Sequence, residues 1–434
     1  MAAQHARSLF VNPKSAAQVQ EKPRSWGKRG LKIGGVFLGL AALLVVGYYA
    51  AKAIVLDPVT VYRLETSGSS NINTYKIFPQ RPIAPGGSVS TLKQANLPNF
   101  PTTITFTFYG TRYSTSLDEL FTQTDTQAFI VVRDNQVIYE RYLNGTSRDT
   151  LHTSFSMAKS ITSALIGIAI DEGKIKSIND PLVMYVPELK GRGFDSLTIR
   201  DMLVMDTGVA FHPDLPSGLF NGFVNDFVSD DAQQYFTDNL RHLILSVHRS
   251  DDPIGADFHY NDYYPLLEGL ILQRVTGETV AQFTQDKLWQ PMGAEYPASW
   301  SLDSTADGFE KTNSAFNARA IDFARIGLVF LNQGYWNGRQ ILSQQWVLKS
   351  TTPDLSDQRP WEDDTAFQQA GGYYKYHWWG LNNPDGTYDY MANGKQGQYI
   401  YVSPSTNTVV VRLGGGTMYY PWPFAIRALI HSLP

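Results

Sequence analysis

The chain contains no cysteine. Disulfides, thiol catalysis and cysteine-rich metal sites are therefore excluded. Charge is also sparse, at 18% of residues with a formal net charge of -4. No global basic field exists to attract nucleic acid. The eight histidines form no His-x-x-x-His pair and no glutamate-flanked zincin motif, so no catalytic metal and no cofactor are expected. Internal repeats and low-complexity tracts are missing too. What remains is a chain of 434 residues, 43% hydrophobic and 13% aromatic, with 24 Tyr and 9 Trp. That supports one large catalytic unit with an appendage. The aromatic content suits cores and ligand clefts equally.

One long apolar run is present. Ile33 to Ala51 carries no charge and is rich in Leu, Val, Ala and Gly. As a helix it would reach about 28 Å, close to the ~30 Å hydrocarbon layer of a bilayer. Before it stand Arg7, Lys14, Lys22, Arg24, Lys28, Arg29 and Lys32 against the single acid Glu21. The positive-inside rule then keeps the N-terminus cytoplasmic and sends everything after Lys52 across the membrane, into the periplasm in a cell that has one. A cleaved signal peptide is the alternative, since Ala51-Lys52-Ala53 weakly resembles a cleavage site. The leader is long and the run exceeds the usual apolar region of such peptides, which favours an uncleaved single-pass anchor.

The expected organisation is a basic cytoplasmic tail (1–32), a transmembrane helix (33–51), a stalk and lead-in rich in Gly, Ser, Pro and Thr (52–120), and a catalytic domain (121–434). Within the last, Ala128–Arg133 and Val137–Tyr142 read as strands around the turn Asp134-Asn135. Ile161–Ile170 reads as a buried helix stopped at Gly173. Thr198–Met205, Tyr264–Val275, Ala318–Asn332 and Phe424–Ser432 also read as helices. Gln398–Val402 and Thr408–Leu413 read as a closing strand pair. Strands at both ends with helices between imply an α+β domain. An antiparallel sheet is completed by the two ends and flanked by helices, with a helical lobe beside it.

Chemistry concentrates near Ser156. A serine hydroxyl needs a base within hydrogen-bond reach to act as nucleophile. Ser-x-x-Lys at a helix start places an amine beside the hydroxyl on one helix face. If the lysine is buried, desolvation lowers its pKa and lets it accept the proton. The helix N-terminus favours negative charge forming on the serine oxygen. The tetrapeptide occurs three times, at Ser25–Lys28, Ser90–Lys93 and Ser156–Lys159. Only the third follows a strand pair and opens an apolar helix. A plain helix start with a capping Ser and a surface Lys is the bland alternative, and the packed look of Ser160, Ala164 and Gly167 weakens it.

The segment from His152 to Ser160 resembles the nucleophile segment of the serine beta-lactamase and penicillin-binding superfamily. Its nearest likeness is to the class C-like branch of esterases, D,D-peptidases and 6-aminohexanoate-dimer hydrolases. Further blocks agree in order: Asp171 to Pro181, Leu197 to Gly208, Trp289 to Gly293, Ala320 to Arg325 and Tyr376 to Gly380. The resemblance spans roughly 125–434. It implies the beta-lactamase/transpeptidase-like fold and an acyl-enzyme on Ser156.

It also implies a tyrosine near that serine. Literal Tyr-x-Asn occurs at Tyr142–Asn144 and Tyr335–Asn337, and both read as chance. Tyr260-Asn261-Asp262, just before an apolar helix, fits the place, which makes Tyr260 the partner of Lys159 in proton transfer. Asp262 replaces the usual Asn and is expected at the substrate. The third motif corresponds to Asn393-Gly394-Lys395-Gln396-Gly397-Gln398, similar to a Gly-x-x-Gly-Gln variant. In that register Gly394 borders the substrate and the Lys395 backbone N–H joins that of Ser156 as the oxyanion hole. A rival register reads Lys395-Gln396-Gly397 as a degenerate Lys-Thr-Gly. Trp378 is a candidate for the acyl pocket alongside Trp379, with core packing as the alternative, and His259 and His377 read as structural.

The expected activity is that of a serine hydrolase on a small ester or amide. Alternatives are a D,D-peptidase acting on peptidoglycan, a weak beta-lactamase and a non-catalytic envelope binding protein. The missing Lys at the first position of the third motif disfavours strong beta-lactamase activity.

Overall fold

The computed structural model describes residues 57–210, 230–305, 307–361, 365–416 and 421–434, together with Leu43, Val46 and Gly47. The chain divides into a unit up to Val55 and a unit from Leu56 to Pro434. In the first, only those three residues are described, all helical. The expected span 33–51 otherwise lies outside the described residues. Among the described residues no helix is long and apolar enough to cross a membrane.

The second unit is built on strands β1 (Gln80–Ile83), β2 (Lys93–Gln94), β3 (Thr126–Arg133), β4 (Gln136–Tyr142), β5 (His152–Thr153), β6 (Ala298–Ser301), β7 (Phe316–Ala318), β8 (Gly372–Lys375), β9 (Trp378–Asn382), β10 (Tyr388–Gly394), β11 (Gln398–Ser403) and β12 (Thr408–Gly414). Eight form one sheet in the order β8-β9-β10-β11-β12-β3-β4-β2. Its pairs are antiparallel except β2 with β4. A smaller antiparallel sheet runs β1-β6-β7-β5. The main helices are α1 (Met157–Asp171), α2 (Tyr263–Thr276) and α3 (Ala320–Leu331).

The sequence pattern explains the centre. Strands β3 and β12 are apolar on both faces, as Val131-Val132 and Val409-Val410-Val411 show, because both faces are covered. Helix α3 crosses β12, β11 and β3 on one side. The Phe121 and Trp422 rings cover Phe129, with centroids 5.0 and 5.8 Å away. The β3–β4 turn falls on Asp134-Asn135, both at positive φ (51° and 60°), the mirror-image turn that suits right-twisted strands.

Residues 57–120 belong to this unit rather than standing apart from it. They supply β1 and β2 to the two sheets. The helix Pro58–Ser67 is tied down through Arg63, which donates to the carbonyls of Phe236, Thr237 and Asp303. Phe78 packs against Tyr235, with ring centroids 5.5 Å apart.

Candidate active site

Ser156 is the N-cap of α1, yet its side chain makes no capping hydrogen bond. N-cap serines ordinarily spend their hydroxyl on the backbone N–H groups of the first turn. Here the Ser156 Oγ instead receives the Lys159 Nζ at 2.8 Å. Phe155, just before it, holds a left-handed φ of 45°. That conformation costs a non-glycine residue about 1–3 kcal/mol and persists where surrounding packing enforces it. The Phe155 ring is buried in a cluster with Phe78, Tyr235 and Phe236.

Lys159 has 1% of its surface exposed. Its Nζ also donates to Asn313 O at 3.1 Å and forms an ion pair with Asp262. The Tyr260 ring lies beneath the ammonium, with its centroid 4.8 Å away, and the Tyr260 phenol hydrogen-bonds with both Ser156 and Lys159. The structure thus brings Ser156, Lys159, Tyr260 and Asp262 together. Asn261 supports them: its Oδ1 accepts from Tyr263 N and Tyr264 N, each at 3.1 Å, and so caps α2. The amide of the Tyr-Asn-Asp segment therefore holds the backbone, and the carboxylate faces the lysine.

Electrostatics differ from the sequence expectation. Burial alone would lower the Lys159 pKa, but the Asp262 carboxylate and Tyr260 outweigh it and hold Lys159 above the ordinary lysine value. Resting Lys159 is an ammonium, not a free amine. Burial raises the Tyr260 phenol, and the adjacent ammonium offsets this only in part.

These groups open into a cavity of about 520 Å³. Strand β10 lines one side with Met391, Asn393 and Gly394, followed by Lys395. Gly394 pairs with Gln398 at the end of the β10–β11 hairpin, and Gly397 N returns to Gly394 O at 3.1 Å. Lys395-Gln396-Gly397 is thus the hairpin loop, and the strand ends at Gly394 beside Ser156. The Lys395 side chain donates to Ser70 Oγ at 2.7 Å, and both residues line the cavity.

The tryptophan assignment needs correction. Trp378 is fully buried, packed against Phe330 at 4.4 Å and Tyr390 at 5.4 Å between ring centroids. Its neighbour Trp379 lines the cavity with Phe258, Tyr260 and Phe367. Successive strand residues face opposite sides, so only one of the pair can reach the site. His377, read as structural, is buried with Nε2 2.9 Å from a Glu268 oxygen and Nδ1 3.0 Å from Tyr374 Oη.

Sequence reasoning missed Asn313, which offers only its carbonyl oxygen to Lys159, and Ser70 and Tyr235 in the cavity wall. It also missed Lys311, fully buried, with Nζ 2.6 Å from Tyr235 O. Burial pushes its pKa down to about 7. No local motif marks these residues, because only the tertiary fold brings them to the site.

A serine hydroxyl in contact with a buried lysine and a tyrosine, at a helix start in an aromatic cavity, is an arrangement that fits a serine hydrolase site. The profile of the Beta-lactamase family matches residues 117–414. The chain belongs to that family. It is 28% identical over 315 residues to the 6-aminohexanoate-dimer hydrolase of Paenarthrobacter ureafaciens, covering 71% of this chain and 75% of that one. Among solved structures, a Bacillus anthracis protein assigned as a 6-aminohexanoate-dimer hydrolase superposes with a TM-score of 0.69 and 22% identity, over 86% of this chain and 93% of that one. The penicillin binding protein of Bacillus halodurans superposes with a TM-score of 0.54 and 18% identity, over 72% and 98%. At these identities the two structural likenesses establish the beta-lactamase/transpeptidase-like fold.

Proposed function

We propose that the protein hydrolyses an ester or amide bond by two-step acyl transfer on Ser156. The observation that carries this reading is the Lys159 Nζ at 2.8 Å from a Ser156 hydroxyl that caps nothing. In acylation the Oγ bonds to the substrate carbonyl carbon while its proton passes to the Lys159–Tyr260 pair. The carbonyl π electrons move to oxygen, and the backbone N–H groups of Ser156 and Lys395 receive that oxyanion. The oxyanion collapses, the bond to the leaving group breaks, and Tyr260 returns a proton to it. Water then attacks the acyl-enzyme by the same path in reverse. The aromatic cavity favours apolar acyl or leaving groups, and the likeness to 6-aminohexanoate-dimer hydrolases favours a small amide substrate. The apolar run 33–51 and its basic flank support a membrane anchor with this domain outside the cytoplasm.

The test is intact-mass spectrometry after treatment with a fluorophosphonate, on the chain from Asp57 onward and on its Ser156→Ala variant. A single adduct on the parent that is lost in the variant supports the reading. A folded parent that stays unlabelled would move the assignment to a binding protein. Labelling that survives the substitution would place the nucleophile elsewhere.

A further inference from the structure

Lys159 raises a problem that the proposed chemistry must solve. Its three ammonium N–H donors are shared among Ser156 Oγ, Asn313 O, Asp262 Oδ1 and the Tyr260 phenol. An ammonium so placed has no lone pair with which to take the serine proton. Of these acceptors, the Asn313 carbonyl does not ionise, and the Ser156 hydroxyl and the neutral Tyr260 phenol, held protonated by its burial, are far weaker bases than a carboxylate. Asp262 is therefore the one group in contact with Nζ that can relieve it of a proton. The surroundings help. The Lys159 side chain is 1% exposed and that of Asp262 20%, and a poorly solvated site disfavours the charge-separated pair relative to the neutral one.

We infer that Asp262 is the proton store of this active site and Lys159 its carrier. This rests on the acyl-transfer reading above. The Nζ–H facing Asp262 breaks and an O–H forms on Oδ1, leaving a neutral amine and a neutral carboxyl group. The amine rotates about Cε–Nζ and turns its lone pair to the Ser156 hydroxyl. As Oγ bonds to the carbonyl carbon, the O–H breaks and its proton restores the ammonium. One negative charge has then moved from Asp262 to the substrate oxyanion. When the leaving group departs it takes a proton through Tyr260 and Lys159, and Asp262 returns to carboxylate.

Other charged groups face this pair. Tyr260 stands on the same segment, and Glu268 on α2 acts on Lys159 from below, itself held by His377. Lys311, from the stretch before β7, acts on Asp262. None of them contacts Nζ as a carboxylate does. The pair and its neighbours titrate together, so the acid limb of the rate belongs to the whole set.

The experiment is the pH dependence, between 4.5 and 10, of Ser156 phosphonylation by an uncharged fluorophosphonate. The parent chain is compared with Asp262→Asn and Asp262→Glu. In the parent the Asp262 carboxylate is present to take the ammonium proton, so labelling persists furthest toward acid. In Asp262→Asn the ammonium must lose its proton to solvent, and the limb moves up by at least two pH units. Asp262→Glu restores the low limb. Should Asp262→Asn fail to fold, Asp262→Ser removes the same acceptor and is read in the same way. Superimposable profiles for the parent and the amide variant would overturn the inference and leave the acyl-transfer reading standing. A folded parent unlabelled at every pH would overturn both.

Discussion

Gly394 ends its strand directly against the turn from Ser154 to Ser156. A Cβ at this position would stand 3.2 Å from Ser156 N and 3.2 Å from Phe155 Cβ, and would overlap the Ser154 carbonyl oxygen. The backbone of β10 can therefore approach the serine only because residue 394 has no side chain. The overlapping Ser154 oxygen is a backbone atom, as is the nearby Ser156 N, and neither can swing aside.

Gly394→Ala should accordingly separate β10 from Ser156 while leaving Lys159 in place. Loss of one backbone oxyanion donor costs about 10²–10³ in kcat, and the expected fall in the rate of ester turnover is of that order. KM should change little. A variant with parental kcat would show that β10 does not supply an oxyanion donor.

The two adjacent tryptophans give a second prediction. Trp378 lies in the core and Trp379 in the cavity wall. Trp378→Ala should destabilise the domain by about 3–5 kcal/mol, as expected for emptying a buried aromatic site. Trp379→Ala should leave the urea midpoint nearly unchanged and raise KM for apolar substrates. Paired denaturation and kinetic measurements decide. Equal destabilisation by both would contradict the assignment of faces.

A third prediction concerns pH and stability. The folded Lys311 has its pKa lowered to about 7 from 10.5. The unfolded chain then binds this proton more tightly than the folded one. Stability must rise with pH between about 7 and 10.5, and the full penalty applies below 7, where both states are protonated. Lys311→Met removes this contribution. The difference in unfolding free energy, parent minus variant, should increase from pH 6 to pH 9 in urea titrations. A difference that stays flat would mean that the buried lysine is not held near neutrality.

Much of the domain was legible in the chain. The capping threonine at 198 forms a reciprocal box with Asp201, as a Thr before an apolar helix implies. The strand pairs at 128–142 and 398–413 appear within two residues of their expected ends, because alternation and turn residues are local signals. The lead-in was harder to read. Its strands β1 and β2 are short, and what holds them is the edge of sheets whose other strands lie far away in sequence.

By itself, the sequence determined the family and picked out Ser156, Lys159 and Tyr260 as a group that the fold brings together, since these depend on residue type and short spacing. Only the tertiary structure decided that Asp262, in the cavity wall, pairs with Lys159, that Trp379 and not Trp378 faces the cavity, and that Lys159 rests as an ammonium. The physical reason is the same in each case. A side chain's charge state and direction depend on which groups from distant segments share its low-dielectric surroundings, and no local pattern of residues encodes that.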